Sequence, residues 1–145
     1  MEALLKLIDN VKTLDVGLEF EKFMSRTDAR VFTLNLNRWE QLYEQGVDSN
    51  GVPLGQYRPY TLKRKVDPNL SHITLRETGA FYETFRLLTG HGFVEIQANT
   101  RKGNEDLEDI HGPVLGLTDD SKEALGEFML NNGFADQIKE TILRY

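Results

Sequence analysis

The chain has 145 residues, with 17 basic and 23 acidic side chains, a formal net charge of −6 and no cysteine. The length fits one domain. The acidic balance, with a pI near 5.1, argues against wholesale coating of nucleic acid, which usually takes a basic domain of pI above about 9. Lack of cysteine excludes disulfides and thiolate metal sites and suits a reducing compartment. No apolar run approaches the roughly 18–20 residues that a membrane span needs. Met1-Glu2-Ala3-Leu4-Leu5-Lys6 lacks a basic n-region, so no secretory signal is expected. The charge is uneven: residues 1–100 hold 12 basic and 13 acidic side chains, and residues 101–145 hold 5 and 10. An acidic final third gives the molecule two surfaces of different character.

Leu4, Leu7, Val11, Leu14 and Leu18 recur at helical spacing, widened by Leu5 and Ile8. They predict a first helix that packs on the core or on a partner, with Gly17 ending or bending it. A second helix is expected from Thr27 or Asp28, both good N-cap residues, through Val31, Leu34, Arg38, Trp39, Leu42 and Tyr43 to a stop at Gly46. Trp39, the one tryptophan, is expected to anchor the core.

Asp48-Ser49-Asn50-Gly51 reads as a turn, since Asn-Gly tolerates positive φ. A calcium loop counted from Asp48 would need Gly and Glu where Pro53 and Pro59 stand. Between Tyr57 and Lys65 the sequence is aromatic and basic together. Arg58, Lys63, Arg64 and Lys65 are the candidate partner contact, facing a phosphate or an acidic protein surface. Ile73 and Leu75 alternate with polar residues as in a short extended segment. Thr78 can cap a short helix, and Phe81 and Phe85 would share its face. Phe85–Leu88 and Phe93–Asn99 then predict an antiparallel hairpin around Thr89-Gly90-His91-Gly92, with Val94, Ile96 and Ala98 on its apolar face.

Arg101 to Asp109 is polar and acidic and reads as a mobile loop. Thr118 is an N-cap for a helix carrying Leu125, Phe128 and Met129, and Gly133 separates it from a last helix with Ile138 and Ile142. The expected class is therefore α+β in a single domain over 1–145. N-terminal helices occupy 1–46, a loop and small antiparallel β-sheet with hairpin 47–113, and C-terminal helices 114–145.

No phosphate-cradling loop, dinucleotide fingerprint or nucleophile elbow is present. His72, His91 and His111 are about twenty residues apart, without ligand partners at metal spacing. Catalytic, cofactor and metal residues are accordingly expected to be none, leaving open carboxylates that folding could bring together.

The order of segments resembles the tail-completion and virion-morphogenesis proteins of tailed bacteriophages, the Mu-type family and its head–tail-joining relatives. The resemblance rests on Val47-Asp48-Ser49-Asn50-Gly51, then Tyr60-Thr61-Leu62-Lys63-Arg64-Lys65, then Leu75-Arg76-Glu77-Thr78-Gly79-Ala80-Phe81. It continues with the strand Phe93-Val94-Glu95-Ile96, Ile110-His111-Gly112, and Val114-Leu115-Gly116-Leu117-Thr118. Where relatives carry an Arg-Pro step, this chain has Gly112-Pro113-Val114. The resemblance implies a structural virion protein of the neck or tail junction, not an enzyme and without cofactors. It also implies a six- or twelve-fold ring, with portal, neck or tail proteins as neighbours and DNA near the lumen without sequence-specific binding. Its place would be the virion, assembled in the bacterial host cytoplasm, with no membrane partner. From a different class, the basic 58–65 segment also fits a small nucleic-acid-binding or regulatory module, whose DNA affinity would fall steeply with salt.

Overall fold

The computed structural model describes residues 1–56 and 72–144. Its class is α+β, with helices at both ends and two small antiparallel sheets between them. The candidate contact residues Arg58, Lys63, Arg64 and Lys65 lie outside the described residues.

Helix α1 spans Glu2–Lys12 and α2 spans Val16–Met24. The break falls before Gly17, because Asp15 leaves the helix and accepts from Leu18 N as the cap of α2. Gly17 instead lies in the first turn of α2. A Cβ there would come within 2.6 Å of the His91 ring, so glycine permits that approach. Helix α3 spans Thr27–Asn35 and runs straight into α4, a π-helical stretch over Leu36–Gln45. Gly46, at φ 66°, ends α4 as expected.

The inward face of α3 and α4 differs from the expected stripe. Ala29, Thr33, Leu36, Asn37, Gln41 and Leu42 are buried, whereas Val31 and Trp39 are exposed. Trp39 is therefore not the core anchor. Three of the six buried positions are polar, a pattern that resembles a solvent face in sequence and is buried because partners await it. Asn37 Nδ2 donates to Val114 O at 2.9 Å, and its Oδ1 accepts from Gly116 N at 2.8 Å. Gln41 Nε2 donates to Gly116 O at 2.8 Å, and its Oε1 accepts from Thr118 N at 2.9 Å. Two amides four residues apart thus bind the backbone of 114–118 as a neighbouring strand would. Each buried polar group is satisfied.

After the Asn50-Gly51 turn, the bridges Val47↔Pro53 and Gln56↔His72 tie the chain to itself. In the segment 72–77 it is Thr74, not its apolar neighbours, that is fully buried. Helix α5 spans Ala80–Glu83, with Gly79 (φ 88°) at its start and Thr78 Oγ1 accepting from Ala80 N. Strands β1 (Arg86–Gly90) and β2 (Phe93–Gln97) form the expected hairpin. Ile96 is buried, with Val94 and Ala98 partly so on the same face.

The acidic stretch is more regular than a loop. Strands β3 (Arg101–Lys102) and β4 (Glu105–Asp106) pair around a tight turn in which Gly103 takes φ 64°, and α6 (Leu107–His111) follows directly. Helix α7 spans Asp119–Asn131, and Thr118 Oγ1 accepts from Ser121 N as the cap. Helix α8 spans Phe134–Ile142 after Gly133.

The core lies where α2, α3, α7 and α8 meet. Phe23 is fully buried and packs edge-on against Phe128 and Phe134, while Phe32 stacks on Phe128 at 4.2 Å between centroids. Beneath α8, the buried Glu19 carboxylate accepts from Gln137 Nε2 at 2.6 Å and from Thr141 Oγ1 at 2.8 Å. Burial pushes its pKa up, but these hydrogen bonds and Lys22 outweigh burial and hold the carboxyl below its usual range. Asn10 Nδ2 donates to Ile142 O and Arg144 O, so α1 closes the open end of α8.

Candidate interaction surfaces

A groove of about 1030 Å³ lies between the 73–81 segment and the β3–β4–α6 unit. Ile73, Leu75, Phe81, Leu107 and Ile110 supply its apolar lining. The segment 72–77 serves two sides of the fold. Ile73, Leu75 and Glu77 line the groove, while His72 and Arg76 meet α4 and Thr74 is buried, its C=O accepting from the Tyr82 hydroxyl. Leu75 stands at φ 60°, the one non-glycine residue in the left-handed region among those described, a strained backbone at the groove wall.

Several of the polar groups around this groove are bound to one another. Lys102 pairs with Glu77. Thr84 Oγ1 donates to Phe81 O and accepts from Asn99 N, and Asn99 Oδ1 accepts from Arg101 N. His111 lines the groove too, and burial pushes its pKa down, so its ring is neutral at neutral pH. The arrangement accommodates apolar side chains.

On the other side of the 72–77 segment lies an aromatic cluster. Trp39 meets Tyr43 and Tyr82 edge-on at 5.1 and 5.4 Å. Arg76 lies over Trp39 at 5.2 Å and over Tyr43 at 5.9 Å. Trp39 is 37% exposed. Tryptophan, tyrosine and arginine together at a surface form the composition that carries binding energy in protein interfaces. The sequence alone reads Trp39 as core because its helical spacing is the same in either role.

Helix α1 supplies a third surface. None of its residues is buried, and Leu4, Leu5, Ile8 and Val11 are each roughly half exposed on one face. The periodicity in the sequence is real, but α8 covers only part of it.

The three histidines stay apart. His72 donates from Nε2 to Tyr43 O at 2.6 Å. His91 pairs with Asp15 at 2.7 Å, which raises the histidine pKa and lowers that of the aspartate. Asp48 does not offer a free carboxylate, since its Oδ1 accepts from Asn50 N and Val52 N and closes the turn. No group of three metal-ligating side chains converges among the described residues. No helix among them is long and apolar enough to cross a membrane. No family model, curated protein or solved structure matches the chain significantly.

Proposed function

We propose that this chain is a structural virion protein of a tailed bacteriophage, part of the neck or tail junction, which assembles into a ring and works by binding other proteins. The order of its sequence motifs supports this reading, and so does one structural observation above the others. An eleven-residue helix at the edge of the fold carries a row of large apolar side chains and buries none of them. Exposed contiguous apolar surface of this kind marks a contact with another macromolecule. In a ring, such surfaces meet head to tail and close by rotation. The chemistry is association, with no catalysed step and no cofactor. The chain would assemble in the host cytoplasm beside portal and tail proteins, its acidic final third suiting either a DNA-facing lumen or a basic partner surface.

Imaging of purified particles with a label on this chain tests the proposal. A symmetric density at the neck or tail end is the expected result, and absence of the chain from purified particles would overturn it. Reversing Lys63, Arg64 and Lys65 to Glu should leave the thermal melt unchanged and weaken assembly, read as loss of the fast-sedimenting complex.

A further inference from the structure

The sheet formed by β1 and β2 has two strands, so each strand has a second edge. The register fixes which groups lie there. Gly90 and Phe93 close the two-residue turn, and pairing continues through Leu88↔Glu95 to Arg86↔Gln97. The closing pair of such a hairpin exchanges both ladder bonds, and bonded and non-bonded pairs then alternate. Leu87 and Thr89 on β1, and Val94 and Ile96 on β2, therefore direct their N–H and C=O groups away from the partner strand. On β1, Arg30 Nη2 donates to Leu87 O at 2.5 Å, which fits this assignment. On β2, no group among the described residues bonds the outward N–H or C=O of Val94 or Ile96. The Ile96 side chain is buried, which makes unpaired backbone beside it costly.

A groove of about 550 Å³ runs along this edge, with Val94, Glu95 and Ile96 on one wall and Glu108, Leu115 and Gly116 among the residues opposite. Gly116 has its own N–H and C=O turned away, to Asn37 and Gln41. Glu95 and Glu108 make no ion pair among the described residues. The cation in the lining, Arg86, is engaged by Gln97 Oε1 at 3.1 Å.

We propose that the outer edge of β2 takes an extended segment of another protein as a third strand, and that this segment alternates apolar with basic residues. Backbone bonding to Val94 and Ile96 supplies the docking, as in other strand additions. Side chains of an added strand alternate between faces. Those on the face of Val94 and Ile96 meet apolar surface, and those on the other face meet the Glu95 carboxylate, with Glu108 across the groove. This inference stands apart from the ring assignment and holds wherever the chain is found.

The test uses the full chain and a labelled peptide of alternating lysine and valine. A peptide of the same composition with its lysines and valines in two blocks is the control, so that general attraction to an acidic protein is equal in both. The alternating peptide should bind at least about tenfold more tightly by fluorescence anisotropy, and it should slow hydrogen exchange at the Val94 and Ile96 amides. Val94→Pro removes an outward N–H while sparing the bonds to β1 and should abolish the preference. The double charge reversal Glu95→Lys with Glu108→Lys should transfer it to an alternating glutamate–valine peptide, and it carries the test if the proline variant does not fold. Equal binding of the two lysine peptides, or undiminished binding by a folded Val94→Pro chain, would overturn the proposal. So would Val94 and Ile96 amides already protected in the free protein, or an edge filled by a second copy of this chain that leaves the peptide unbound.

Discussion

Asn37 and Gln41 have no exposed surface and together make four hydrogen bonds to the backbone of 114–118. Removing the Asn37 amide leaves the buried Val114 C=O and the partly buried Gly116 N–H without their partner, which costs about 1–3 kcal/mol for a fully buried group. Asn37→Ala should accordingly lower unfolding free energy by at least that amount in denaturant titrations, with the cavity left behind adding to it. Glu19 gives a pH dependence. Its carboxyl is held below the ordinary value of 4.5 by hydrogen bonds from Gln137 and Thr141 and by Lys22, which together exceed the opposing effect of burial. The stability it confers is therefore full above about pH 4.5 and lost as pH falls through the lower folded value. Thermal melts from neutral pH down to about pH 3 should show a smaller acid loss for Glu19→Gln than for the native chain. His91 has the opposite sign. Its hydrogen bond and attraction to Asp15 raise its pKa above 6.5, so its contribution is complete below 6.5 and fades as pH rises through the folded value. The difference in Tm between the native chain and His91→Gln should shrink as pH is raised past that point. Both partners are exposed, so added salt should shrink it as well.

At the scale of elements, α1 buries none of its residues and is tied down by α8 and by the two bonds from Asn10. Replacing Leu4, Ile8 and Val11 by Ser touches no buried position and should move the Tm little, while removing the fast-sedimenting assembled species. An unfolded triple variant would mean that α1 belongs to the core of the protomer. The elements also show which signals the sequence carries. The β1–β2 hairpin was legible because alternation and a Gly-containing turn coincide there, and Thr118 and Gly46 were legible because cap and stop residues act locally. The Arg101–Asp109 stretch reads as loop because two-residue strands are too short to show a period. Thr33, Asn37, Gln41 and Thr74 were not legible as interior residues. Polarity gives the same signal whether its partner is water or backbone, and for Asn37 and Gln41 the partner segment lies 75–79 positions along the chain. Trp39 misleads for the complementary reason, since a large ring at a helical spacing serves the core and a binding surface equally well.

For the whole molecule, the fold gathers apolar interior around Phe23 and leaves, among the described residues, four kinds of outward-facing surface: an apolar groove, an apolar helix face, an aromatic and arginine cluster, and an uncapped sheet edge. That division suits a subunit with several neighbours better than a protein meeting one small molecule. The basic residues that the sequence put forward as a contact, Arg58, Lys63, Arg64 and Lys65, lie outside the described residues. Among the described residues that flank them, Gln56 and His72 bridge each other, and Ile73 N donates to Gly55 O at 2.9 Å.

The amide pair on α4 also bears on synthesis. Gln41 and the residue it receives from, Thr118, are 77 positions apart. At a ribosomal pace of roughly 5–20 residues per second, some 4–15 s pass between the appearance of one and of the other. Throughout that interval the N-terminal helices carry two primary amides with nothing to hold, so the nascent half cannot reach its final packing alone. Completion of this fold is thereby coupled to synthesis of residues 114–118, and a product terminated before them lacks the means to pass as a folded one.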